Sequence, residues 1–176
     1  MIQIKNAAEL QKMRKACAIS AAALKAGGEA IEPGITTAEI DKIIYDFIVR
    51  HCARPNFLHL YGFPATACIS VNDTVIHGIP NKQQQIRPGD IVSIDTGCKI
   101  DGFNGDNACT YACGKIDLEA QRLLDVTKES LHRGIEMACG GNRVGDIGHA
   151  VQSYVEENGF SVVRTFVGHG VGKELH

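Results

Sequence analysis

The chain has 176 residues, 44% of them hydrophobic and 22% charged, with a formal net charge of −2; these values describe an ordinary globular domain with a substantial core and exclude a disordered chain. Acidic and basic residues are interleaved, so no Lys/Arg face is available for a phosphate backbone, which argues against DNA or RNA as partner. Apolar runs are broken well short of the ~20 residues that span a bilayer, and MIQIKNAAEL lacks a signal-peptide core, which predicts a cytoplasmic protein with no membrane partner.

Residues 7 to 26 carry Leu10, Met13, Ala16, Ile19 and Leu24 at mostly helical spacing, and the pattern stops at Gly27 and Gly28, predicting a first helix that ends there. After Pro33-Gly34, Thr36 and Glu39 have capping-box spacing, and Ile40, Ile43, Ile44, Phe47 and Ile48 form the apolar stripe of a second helix. From His51 to Ala112 the texture changes to short β-rich runs, ATACISV, QIRPGDIVSIDTG and NACTYA, separated by turn formers such as Asn72-Asp73 and Asp101-Gly102. A sheet is predicted there. A third helix follows from about Asp117 to Cys139, then a glycine pair and a fourth helix from about Val144 to Asn158. The seven cysteines are an odd set without CxxC pairs, which fits reduced thiols; Cys109 and Cys113, four apart on one strand face, are expected in core packing.

The last two helices echo the first two. Gly34, Glu39, Ile40, Ile44, Phe47 and Ile48 are matched by Gly141, Asp146, Ile147, Val151, Tyr154 and Val155, each 107 positions on. Any two amphipathic helices align at such spacing, but the matched glycine and acidic cap favour a structural repeat, with repeat one at 1–113 and a partial repeat two at 114–176 of a single domain. The first unit uses some sixty residues after its second helix for strands; the second has only Gly159 to His176, and the counterpart of Asp95 falls past the last residue. The chain is therefore expected to be a fragment or a shortened form.

The run DIVSIDTGCKIDGFNGDNACTY places carboxylates at Asp95 and Asp106 where a buried hairpin would pack apolar side chains. With Asp101-Gly102 at the tip, Asp95 opposes Ala108, and Asp106 shares its face, so the two acids lie diagonally across the hairpin at roughly 5 to 8 Å. Two carboxylates on a half-buried surface repel and resist losing water, and a divalent cation compensates both costs. The ordinary alternative is that one Asp points to solvent or caps a turn at Gly97 or Gly105; against it, Ile91, Val92 and Ile94 lead into Asp95 as a buried strand does, with the acid at its polar end. Asp101 is assigned to the turn.

Metals held by carboxylates commonly also take imidazole, and FVGHGVGKELH offers His169 after an apolar strand run, with His176 seven residues later. Its glycines do not make a phosphate loop, since neither a helix signal nor Lys-Ser/Thr follows. His77, in a loop between β-rich runs, is a further site candidate, whereas His51, His59, His132 and His149 read as surface or packing residues.

Together YGFPATACISVND, HGIPN, PGDIVSIDTG, GFNGDNACTY and GHGVGKELH, in this order and covering the whole chain, resemble type I methionine aminopeptidase. The resemblance implies a pita-bread fold, an α/β (α+β) domain with two-fold pseudo-symmetry whose antiparallel sheet cups two divalent metals, here Co, Mn, Fe or Zn. It implies that Asp95 chelates one metal, Asp106 bridges both and His169 binds the second. His77 and His176 would contact the substrate amide and the tetrahedral intermediate, and Phe63 and Cys68, with Phe57, Leu60 and Leu175, would line the methionine pocket. The implied reaction is removal of the N-terminal methionine of nascent polypeptides by a metal-bridging hydroxide, near the ribosome exit, by a monomer when complete.

Two glutamate ligands of the family would lie past His176, and Glu156, Glu157 and Glu174 do not occupy matching positions. With three of five protein ligands, activity is expected only when the remaining part is restored. The competing readings are a peptide-binding or inactive pita-bread fragment and a proline-specific peptidase of the same fold, which usually carries an extra N-terminal domain.

Overall fold

A computed structural model describes residues 3–176, and two compact units can be distinguished in it. One comprises the chain up to Ile116 together with His169–His176; the other runs from Asp117 to Gly168.

The first unit is a two-layer α/β arrangement. Helix α1 (Ala7–Glu29) and helix α2 (Thr37–Arg50) both begin with capping boxes, Asn6 with Glu9 and Thr36 with Glu39, each satisfying backbone N–H groups left free at a helix start. Strands β1 (Arg54–Pro55), β2 (Ala67–Val71), β3 (Ile91–Ile100) and β4 (Phe103–Ala112) form one antiparallel sheet. β3 is central, with β4 along one edge and β2 followed by β1 along the other.

Alternation along β3 sorts its side chains. Val92, Ile94, Thr96, Cys98 and Ile100 are buried on one face, against Ile40, Ile44 and Ile48 of α2 and Ala16, Ala23 and Leu24 of α1. Burying branched apolar side chains at about 25 cal/mol per Å² on this face is the main stabilising contribution to the unit. The opposite face of the same strands carries Ser93, Asp95, Asn104, Asp106 and Thr110, with Ser93 and Thr110 joined by a 2.7 Å hydrogen bond.

Asp101 and Gly102 form the hairpin tip with positive φ at both residues, as a two-residue turn between right-twisted strands requires. Asp95 accordingly opposes Ala108 and Asp106 opposes Gly97, the register expected from the sequence. The Asp101 carboxylate also accepts from Lys15 at 2.7 Å.

Three expectations are corrected. Helix α1 does not stop at the glycine pair but runs through it to Glu29, because the glycines serve packing: a Cβ on Gly27 would lie 2.7 Å from Ile44 and one on Gly28 2.2 Å from the Tyr111 ring. Cys113 is buried as expected, but it lies past the end of β4 and Cys109 is exposed. Residues 163–168, expected as a strand before His169, pair with no strand and are irregular, since an apolar run becomes a strand only where a ladder partner lies beside it.

The second unit contains α3 (Leu118–Glu136), capped by Asp117, and α4 (Val144–Glu157). α3 ends three residues before the expected Cys139, in a turn where Asn142 donates to the Met137 carbonyl. α2 and α4 are both 14 residues long, and Gly34 and Gly141 before them have φ of 97° and 98°. Gly134 of α3 lies against Val151 and Ile147 of α4, and Arg133 stacks over Tyr154. No described helix is long and apolar enough to cross a membrane.

Because the Tyr111 hydroxyl donates to the Leu24 carbonyl, its ring cannot swing away from an added methyl group. Gly28→Ala is therefore expected to lower stability in urea unfolding by about 1–3 kcal/mol, as overpacking does. An unchanged or stabilised variant, the result expected of a mere helix-ending glycine, contradicts the packing role.

Candidate metal and peptide site

The polar face of the hairpin gathers the acids. Asp95 lies in the middle of β3, five residues before its end, and not at a polar terminus as the preceding apolar run suggested; it escapes the core because it alternates onto the face opposite Ile94 and Thr96. It shares that face with Asp106, diagonally across the ladder, where the Asp106 charge opposes its ionisation. Burial, first, and then the charge of Asp106 push Asp95 up to about 7. Asp106 is also raised by burial, an effect opposed by the His169 and His176 imidazoles beside it.

His169 comes from far along the chain onto the same face. Its Nε2 lies 3.7 Å from Asp106 Oδ2, and its ring meets that of His176 edge-on at 4.6 Å between centroids. Two donors bound to one transition-metal ion at about 2.1 Å each are separated by at most about 4.2 Å, so this pair can share a cation. Asp95 adjoins it through Asp106. Among the described residues, no three His, Cys, Asp or Glu side chains converge on a single point. The donor chemistry thus fits a divalent ion at Asp106 and His169, with two crowded carboxylates that gain most from neutralisation.

Cys68 sits opposite Asp95 on β2, is 6% exposed, and its thiol is pushed up to about 12, chiefly by burial and then by the two aspartates. It is a neutral wall of the site. Phe57, Leu60 and Phe63 belong to a tight turn preceding β2, in which Leu60 and Phe63 donate their backbone N–H groups to the Phe57 and Leu60 carbonyls. Asn56 ties this turn to the hairpin, its N–H donating to Gly97 and its side chain reaching Gly105. Phe57 is buried, whereas Leu60, Phe63 and Leu175 are partly exposed.

His77 is exposed, with a φ of 58° that is uncommon for a residue with a side chain. The adjacent Gly78 exchanges hydrogen bonds with β2, donating to Ser70 Oγ and accepting from Ile69 N, so closely that a Cβ would fall 2.2 Å from the Ile69 oxygen. That contact brings His77 beside the strand that carries Cys68.

Asp41 on α2 was invisible in the sequence, lying beside an apolar stripe like any surface acid. Its Oδ1 accepts from the N–H groups of Thr66 and Ala67 at 2.9 and 2.8 Å, fixing the entry to β2, and burial raises its carboxyl.

The raised Asp95 has a definite consequence for stability. A folded-state pKa near 7 against 3.8 unfolded means that the metal-free fold holds the proton longer than the unfolded chain, and loses stability as pH rises from about 4 to about 7. The melting temperature of Asp95→Asn in EDTA should gain on the parent across that interval and keep a constant lead above it. A lead that is flat or shrinking with pH contradicts the burial of Asp95 beside Asp106.

Known proteins match the chain over its whole length. The model of metallopeptidase family M24 matches residues 11–176. The chain is 51% identical to a methionine aminopeptidase of Clostridium perfringens and 48% identical to one of Clostridium acetobutylicum, in each case over its whole length and 70% of the relative's. The crystal structure of methionine aminopeptidase from Thermotoga maritima superposes with a TM-score of 0.97 at 40% identity, covering all of this chain and 71% of that one.

Proposed function

The chain belongs to metallopeptidase family M24 and has its pita-bread fold, and on that premise we propose that it serves the metal-dependent hydrolytic removal of N-terminal methionine from peptides. The observation that carries this reading is the pair Asp95 and Asp106 side by side on the polar face of the sheet, with His169 3.7 Å from Asp106. The names of the relatives, nearly half or more identical to it, supply the substrate.

In this reading Asp95, Asp106 and His169 would hold two divalent ions of manganese, iron, cobalt or zinc. Such ions supply a lowered water pKa and a polarised peptide carbonyl. The residues around them do the rest. His77, held beside β2 by Gly78, orients the scissile amide. His176, against the edge of His169, donates to the carbonyl oxygen as negative charge develops there. Phe57, Leu60, Phe63, Cys68 and Leu175 take the methionine side chain into a pocket whose thiol stays neutral and apolar, and exclude water from one side of the bond. Nascent chains at the ribosome are the natural source of such N-termini, and seven free thiols suit a reducing cytoplasm.

Because the relatives are longer than the segment matched, the test is made in a relative's frame. Residues 1–176 replace the corresponding part of the Clostridium perfringens protein, and free methionine released from Met-Ala-Ser is measured with added manganese or cobalt. The chimera should release methionine, and Asp106→Ala within it should lower the rate by at least about a hundredfold. An inactive chimera that binds metal, or an Asp106→Ala chimera that keeps its rate, contradicts the reading.

A further inference from the structure

His169 and His176 stand on a segment with no regular secondary structure, residues 169–176, yet three hydrogen bonds from Asn104 fasten it. Asn104 of β4 is 2% exposed. Its backbone N–H donates to the Gly172 carbonyl at 2.9 Å, and its Nδ2 donates to the carbonyls of Gly172 and Lys173 at 2.9 and 3.0 Å. Lys99, its partner across the hairpin, donates Nζ to the same Lys173 carbonyl at 2.8 Å, and Lys173 Nζ pairs with Glu9 of α1 at 2.9 Å. The fastening point lies midway between His169 and His176. Asn104 also lies two residues from Asp106 on the same strand face, roughly 7 Å along it.

We infer that Asn104, assisted by Lys99, is a positioning residue that sets the imidazoles of His169 and His176 against Asp106. One rigid strand then carries both a carboxylate of the site and the clamp for its imidazoles, so their separation does not depend on the flexible run of glycines at 168, 170 and 172. The amide is suited to this task, since two carbonyl oxygens face Nδ2 and an aspartate there would present an oxygen to them. Asn104 touches neither substrate nor metal; it acts through His169, and this part of the inference rests on His169 being a ligand as proposed above.

Two measurements on the 176-residue chain separate the clamp from that ligand role. In the metal-free protein, nuclear Overhauser contacts between the rings of His169 and His176 should be present and should disappear in Asn104→Ala. Cobalt(II) affinity, followed by visible absorption, should fall about 10- to 100-fold in Asn104→Ala. In an His169→Ala background the same change should alter affinity by less than about twofold. Lys99→Met, at a partly exposed site that does not endanger folding, should show a smaller loss that also vanishes without His169. Ring contacts retained in Asn104→Ala, or an equal loss of cobalt affinity with and without His169, overturn the inference. If the parent binds no cobalt, the ligand role of His169 fails while the ring contacts still decide the clamp. If Asn104→Ala does not fold, Lys99→Met decides it through the same two measurements, and ring contacts and cobalt affinity left at the parent's values overturn the clamp.

Discussion

Two carboxylates pressed together on one face of a hairpin are the constraint around which the rest of the first unit is organised. In water Asp95 and Asp106 would separate; the backbone ladder from Ile91–Ala112 to Ile100–Phe103 does not let them. The ladder is in turn held by the apolar face beneath, where Val92, Ile94, Cys98 and Ile100 pack on the two long helices. The hydrophobic layer thus stabilises the strands that hold the acids together, and a cation bound between them, as proposed, would relieve what remains of the strain. Such a division of labour between the faces of one sheet explains how a stretch can read as buried and still present acid groups to a ligand.

Three neighbours shape the wall beside the acids. Cys68 is a thiol held neutral by burial and by the aspartates it faces. Asp41 uses its carboxylate on backbone N–H groups at the start of β2, so it shapes the wall while contributing no ligand. Gly78 brings the His77 loop onto β2 at a distance no other residue permits. Each acts at one remove, through the position of a neighbour.

What was legible in the sequence was what obeys local rules. A two-residue turn at Asp101-Gly102 sets a register, and register sets faces, so the shared face of Asp95 and Asp106 followed from counting. The capping boxes of Thr36 and the stripe of α2 were equally local. What failed depended on long-range packing. Gly27 and Gly28 look like a helix end until Ile44 and Tyr111 are in place, and the apolar run before His169 looks like a strand until its lack of a ladder partner is known. Nothing near Asn104 in sequence announces its bonds to Gly172, which is 68 positions away. The motifs GFNGD and GHGVG could be joined from sequence by the metal chemistry of carboxylate and imidazole and by resemblance to a family, whereas their physical connection, a side-chain amide, could not be read there.

Anomalous diffraction from crystals soaked in manganese tests the central claim most directly, because it locates the ion without assuming its ligands. The expected result is a peak within about 2.3 Å of both Asp106 Oδ2 and His169 Nε2, on the polar face of the hairpin and adjoining Asp95. A peak elsewhere, or none while the acids turn apart toward solvent, would contradict the view that this hairpin holds its carboxylates together for a metal.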